Sequence, residues 1–290
     1  MDIHHPPRVR ATAAARGAPG RFAAVGRPDR VAGLAAVQRR GGPMAARTTA
    51  RTLLACAVAL LLLCGCVSPA GDAEPEERTF APGSDQLTIV VDHGDLEVSP
   101  TQTNEIQVKR WVSGRSVIGE PGVTWGLDGE TLVLRSRCNQ GDPCQVRYEV
   151  HVPEGTSLTV EGGSGRVEAT AFGKPLTIST VEGSVEVQRV SGPLSLRSTE
   201  GDLRAGGVRS RTLRASTGSG RIDVSFIGVP DDVRVVTGEG SATLELLEAV
   251  YDVDASGGGD VVIEVDTDED SPHKIAAETD SGRIRLVPAD

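Results

Sequence analysis

The chain has 290 residues, 35 of them Gly, with aromatic residues at only 3% and a formal net charge of −10. So few rings exclude a single bulky core, and small aliphatic side chains must fill thin layers instead. The acidic balance excludes nucleic acid as a partner, because phosphates would be repelled.

Residues 1–43 are rich in Arg, Ala, Gly and Pro, show no apolar periodicity, and precede a Met44 that could begin a complete signal peptide by itself. They read either as a start-site misassignment or as a disordered leader, and carry no fold argument. Arg39-Arg40 lacks the following pattern that twin-Arg export requires. Residues 44–66 then combine a basic flank with an apolar stretch too short for a comfortable membrane span. The ending Leu63-Cys64-Gly65-Cys66 resembles the lipobox of bacterial lipoproteins, which implies acylation of Cys66 as the mature N-terminus. An ordinary transmembrane anchor or a Sec signal cut nearby are the alternatives. The Pro- and Glu-rich stretch that follows favours the lipoprotein, because it reads as a flexible tether over residues 67–86. The expected address is therefore the outer face of the cytoplasmic membrane or the cell surface, with the lipid as the only contact to the bilayer.

Removing residues 1–65 takes away ten Arg and two acidic residues, which leaves 20 basic against 38 acidic and a net charge of −18. That surface suits cations or cationic peptides. Cys56 and Cys64 lie in the signal, so Cys138 and Cys144 remain as a pair, expected to close a short disulfide loop in an oxidising compartment. Zinc is a poor reading of them, since His4, His5, His93, His151 and His273 are scattered. The spacing also differs from the Cys-x-x-Cys of thiol-disulfide catalysts.

From Leu87 onward the chain repeats apolar-x-apolar-x-x-x-x-Gly-x-apolar-x-apolar about every 18 to 20 residues. Seven copies begin at Leu87, Leu158, Leu176, Leu194, Leu213, Val233 and Ile275, with turn glycines Gly94, Gly165, Gly183, Gly201, Gly220, Gly240 and Gly282. An eighth, from Tyr251, fits if one residue is inserted among Gly257-Gly258-Gly259, as in a bulged turn. Alternation on both sides of each Gly predicts strand, tight turn, strand, return loop. The Gly needs no functional account, because positive φ or close approach of the neighbouring unit would penalise a Cβ there.

Two all-β folds compete. In a single-chain β-solenoid, or β-helix, each unit is a rung stacked about 4.8 Å above the last. In a propeller or meander, the Glu-Gly and Ser-Gly pairs would be hairpin turns. Strict register among the Leu158, Leu176 and Leu194 starts favours the solenoid over residues 158–290. Residues 87–157 are expected to form an irregular N-terminal β cap, because Glu105 to Val152 has strand-like runs without the repeat. Trp111 and Trp125 fall in this cap, where packing outweighs a ligand-binding reading.

The lipobox, the first unit with Gly94 and the tandem Ser/Glu-Gly-x-apolar-x-apolar repeats together resemble the DUF4097 family, described as adhesin-like β-strand-repeat proteins. The resemblance spans about Leu87 to Val287. It implies an envelope-facing module without enzymatic activity, and it carries over no catalytic residues or cofactor.

Chemistry is sparse. Outward positions after the turn Gly read Arg166, Ser184, Asp202, Arg221, Ser241, Asp260 and Arg283, then Glu168, Glu186, Arg204, Asp223, Thr243, Val262 and Arg285. Acid and base are interspersed, as solubility and cross-strand pairing would arrange them, rather than set apart as a catalytic dyad. The run Asp266 to Asp270 lacks the ordered spacing of calcium loops and reads as a solvated acidic loop. The expected role is an adhesin-like module that binds an envelope protein, a glycan or a cationic peptide. A structural or stress-related lipoprotein without a ligand is the alternative, and a carbohydrate-active β-helix enzyme with paired carboxylates the weaker one.

Overall fold

The computed structural model describes residues 74–114, 122–137 and 144–289, and every regular element among them is a strand. In chain order the first seven are β1 (Glu76–Phe80), β2 (Gln86–His93), β3 (Asp95–Thr101), β4 (Ile106–Gly114), β5 (Gly122–Asp128), β6 (Thr131–Arg137) and β7 (Cys144–Pro153). The repeats continue as pairs: β8 (Ser157–Ser164) with β9 (Val167–Thr170), β10 (Leu176–Glu182) with β11 (Val185–Gln188), and β12 (Leu194–Glu200) with β13 (Leu203–Val208). Then come β14 (Thr212–Ser219) with β15 (Ile222–Phe226), and β16 (Asp232–Glu239) with β17 (Ala242–Leu246). The last are β18 (Asp252–Gly257) with β19 (Val261–Ile263), and β20 (Lys274–Ser281) with β21 (Ile284–Pro288).

The first strand of each pair joins a ten-stranded sheet and the second an eleven-stranded sheet. Repeat-to-repeat pairing is parallel and in register, so Leu158, Leu176, Leu194, Leu213, Val233 and Ile275 form one column. Val167, Val185, Leu203, Ile222, Ala242 and Ile284 form its counterpart in the other sheet. These columns are buried, and they make a continuous core between the sheets. Each buried aliphatic residue contributes about 1.5 to 3 kcal/mol through area removed from water. Aliphatic side chains suffice because the layer between the sheets is thin.

A second column explains the turns. Gly94, Gly165, Gly183, Gly201, Gly220, Gly240, Gly282 and Gly259 lie one above another, and from Gly165 onward a Cβ on any of them would fall on the carbonyl of the glycine in the next rung. Gly201 also has φ +144, whereas Gly183 is fixed by close approach alone. Beside this spine runs a column of buried hydroxyls, Thr180, Ser198, Thr217, Thr237 and Thr279. Thr217, Thr237 and Thr279 donate to the carbonyls of Gly201, Gly220 and Gly240 at 3.1, 3.2 and 3.1 Å. Period-two alternation thus continues one step beyond the apolar pair, and a hydroxyl takes the inward place because a carbonyl awaits it.

Chain order and stacking order part company at both ends. The β20/β21 pair inserts between β16/β17 and β18/β19, so the terminal rung at that end is β18/β19. At the other end β2/β3 lies between β8/β9 and a rung made of β6 and β7, with Ile89 opposite Leu132 and Leu96 opposite Tyr148. The segment read from sequence as cap without repeat therefore contains a rung. Tyr148 stands sixteen positions after Leu132, where Leu96 follows Ile89 by seven, and that lengthened turn hides the spacing. What covers this end is antiparallel: β4 on β7, β1 on β4 and β5 on β6.

Two further expectations change. Glu76–Phe80, inside the stretch read as a tether, is strand β1, held to β4 from Glu76↔Arg110 to Phe80↔Ile106. The eighth copy begins at Val253 rather than Tyr251, since Val253 pairs with Ile275 and Val261 with Ile284. Its turn is one residue shorter than that of the last unit, not longer. Tyr251 is fully buried just before the rung and donates its hydroxyl to Leu247 O at 2.9 Å.

Candidate binding surface

The outward faces of the two sheets carry charge. On the eleven-stranded sheet, Asp202 accepts the backbone N–H of Arg221 at 2.9 Å, the Arg221 guanidinium at 2.9 Å and that of Arg204 at 2.8 Å. These contacts, the backbone N–H first among them, hold its carboxyl below the usual carboxylate range. Arg283 pairs with Asp260 at 3.2 Å across the β21–β19 step. Such solvated pairs contribute little stability and mainly set the polarity of the face.

Lower on the same face, Glu149, Glu97, Glu168 and Glu186 stand in consecutive register before Arg204. Like charges directly opposite are unfavourable, and neighbouring cations compensate them. Arg147 reaches Glu97 at 2.8 Å and Arg166 reaches Glu168 at 3.2 Å. The interspersion of acid and base read from the repeats holds above this column. Glu97 and Glu149 belong to the first unit and the hidden rung, which the aligned positions did not include.

Ser99, His151 and Glu149 form a line of hydrogen bonds, 2.9 Å from Ser99 Oγ to His151 Nδ1 and 2.8 Å from His151 Nε2 to Glu149 Oε1. Ser99 faces His151 in register, so the line follows cross-strand geometry. A nucleophile relay also needs donors for an oxyanion, and Pro100, next to Ser99, offers no N–H. Beside it lies a cleft of about 560 Å³ lined by Ser99, Glu154, Phe172, Lys174 and Arg189. It is half open, and its outline is somewhat more apolar than polar. Among the described residues no group of three or more His, Cys, Asp or Glu is arranged to hold a metal ion.

The two ends of the stack differ. At the N-terminal end Trp125 is partly buried, with the Arg110 and Arg78 guanidinium carbons 4.4 and 5.3 Å from its ring centroid. Trp111 similarly receives Arg147 at 5.3 Å. The tryptophans thus pack under cations of the cap. At the other end, among the described residues, nothing stacks on β18 and β19, the terminal strands of their sheets. Val261 and Ile263 point inward like Ile284 and Leu286, yet they are 38% and 42% exposed. Val250, 45% exposed, lies close in sequence, and Val253 and Ala255 are only partly buried. Repeat alignment did not single out this end, because the last unit in sequence is not the last in space.

Of the residues singled out from sequence, the seven turn glycines all join the spine. Cys66 and Cys138 lie outside the described residues. Cys144 opens β7 opposite Gly114.

A family model described as Toastrack DUF4097 matches residues 84–287. No curated protein matches the chain. Among solved structures, a candidate lipid binding protein from Parabacteroides distasonis is 17% identical, with TM-score 0.47, covering 74% of this chain and 98% of its own. A candidate adhesin from Parabacteroides merdae is 10% identical, with TM-score 0.45, over 74% and 97% of the two chains. Another, from Parabacteroides distasonis, is 12% identical with TM-score 0.44 over 75% and 98%.

Proposed function

This chain belongs to the Toastrack DUF4097 family, and we propose that it works as a non-catalytic, adhesin-like interaction module of the cell envelope. The observation that carries the reading is the bare end of the stack, where Val261 and Ile263 are exposed among carboxylates while the opposite end is covered. A contiguous apolar area rimmed by polar groups is what a soluble protein keeps for a partner. In-register parallel rungs over residues 86–101 and 157–288 support a β-solenoid scaffold, rigid enough to present that end at a distance from its anchor.

In this reading the chain is exported, cleaved before Cys66 and held to the membrane by lipid on that residue. Cys138 and Cys144 close the loop between β6 and β7 as a disulfide. The partner is an envelope protein, a glycan or a cationic peptide; nucleic acid is not among them.

Expression of the full chain and of Cys66→Ser in a bacterial host fed a tagged fatty acid tests the anchor. Label on the wild type alone, with the variant released from the membrane fraction, is the expected result; label on both, or on neither, overturns it. Saturable binding of the released variant to isolated envelopes is expected of the module. Binding that is absent, or that grows linearly without saturation, would favour a structural lipoprotein instead.

A further inference from the structure

We infer that the β18/β19 end docks an extended, cationic polypeptide strand that pairs with the free edge of β18. The inference rests on the interaction-module reading and names the site and the chemistry of the partner.

The backbone is prepared for addition. Asp252 N–H donates to His273 O and Glu264 N–H to Leu286 O, both at 2.8 Å and both toward the stack. Alternation along a strand then turns the N–H groups of Val253, Ala255, Gly257, Val261 and Ile263 to the open side. An incoming strand would satisfy those of β18, the longer edge, as in other cases of β-strand addition. The segment around Thr267 bridges Tyr251 and covers only the approach to β18.

The side chains specify what should come. Val253, Ala255, Val261 and Ile263 occupy the inward columns, so aliphatic side chains on alternate positions of a visitor would extend the core by one layer. Between Val250 and Pro272 the chain carries eight carboxylates and no Lys or Arg. Asp254, Asp260 and Glu264 are exposed on the strands or at their ends. A second copy of this chain would set these carboxylates against its own, which like-charge pairing opposes. A strand alternating aliphatic residues with Lys or Arg answers both features.

The probe is an eight-residue peptide alternating Val and Lys, capped at both ends. Its controls are a version with Pro at the centre and a version with Glu replacing Lys. Binding to the full chain is measured by fluorescence anisotropy. The Val/Lys peptide should bind, with an affinity that falls as salt rises, and both controls should bind at least tenfold more weakly. Val261→Lys with Ile263→Lys should weaken binding about tenfold or more; both side chains are partly exposed, at 38% and 42%, and a thermal melt of the variant checks that the rung beneath is kept. Asp254→Asn with Glu264→Gln, which places no burden on folding, should weaken it and flatten the salt dependence. Val181→Lys, at an exposed position on β10 far along the stack from this end, should leave it unaltered.

Equal affinity for the Pro-containing peptide, or unchanged binding by the Asp254/Glu264 variant, overturns the inference. So does a full chain that is dimeric without peptide and made monomeric by Ile263→Lys, which would make a second copy the occupant. Envelope binding that survives the end variants would sink this site alone, whereas a wild type that never binds envelopes would sink the module reading itself.

Discussion

Thr217 Oγ1 lies 3.1 Å from the carbonyl oxygen of Gly201, the turn glycine of the preceding rung. The same oxygen column receives Thr237 and Thr279 higher up, so each hydroxyl ties one rung to the spine of its neighbour. Thr217→Val keeps the shape and removes the donor, which leaves a buried carbonyl short of a partner. A loss of about 1 kcal/mol in urea unfolding is expected. Thr177→Val, at an exposed place on β10, should change stability by no more than a few tenths of that. Equal losses at the two sites would remove the hydroxyl column from the account of stability.

The glycine spine is stricter. A Cβ on Gly201 would meet the Gly183 carbonyl, and its φ of +144 is strained for any L side chain. Gly201→Ala must therefore push two rungs apart, at an expected cost of about 3 kcal/mol or more. Gly173→Ala is the control, because the nearest atom to its Cβ would be Ser191 Oγ at 3.8 Å. It should fall within about 1 kcal/mol of the wild type. Thermal melts of the pair decide between a spine set by contact and glycines kept only for turn propensity.

What the sequence shows well is whatever repeats at fixed spacing. The Leu158, Leu176 and Leu194 column and its turn glycines are visible because each unit restates them with few insertions. The hydroxyl column was equally periodic, three residues before each glycine, and a pattern confined to apolar residues passes over it. The β6/β7 rung was hidden by its long turn. Stacking order has no local signal, because Val253 pairs as well with Ile275 above or below it, and only the lengths of the connections decide. The open end follows from that order, so the candidate site was out of reach of repeat alignment even though its residues were in plain view.

Tyr148 makes the N-terminal rung sensitive to alkali. It is fully buried, its hydroxyl has no hydrogen-bond partner of good geometry, and burial pushes its pKa from 10.0 to about 12. The neutral phenol is the form the fold accepts, so its contribution is intact below pH 10 and is lost as pH rises through about 12. Burial raises Tyr251 in the same direction. Tyr148→Phe should leave neutral-pH stability level or higher, since no bond is given up. It should also remove roughly 1 to 3 kcal/mol of the alkaline loss. Urea titrations at a series of alkaline pH values give the comparison, and parallel curves for wild type and variant would show that Tyr148 does not titrate within the fold.

Deleting residues 274–290 separates chain order from stacking order. If units stacked as they are written, the deletion would trim one terminal rung and leave β18/β19 in place. Among the described residues β18 pairs only with β20 and β19 only with β21. Two rungs should therefore be lost, together with the cover over Val233, Val235, Ala242 and Leu244 on the new end. Hydrogen exchange reads this directly. The Glu264 amide, bonded to Leu286 in the full chain, should exchange at an unprotected rate after the deletion. The Gly220 amide, bonded to Glu239 O, should stay protected, because β14–β16 pairing does not depend on the last unit. Continued protection at Glu264 would mean that β19 can dock on β17 unaided, and the inserted rung would then be a convenience of the chain rather than the element that holds this end together.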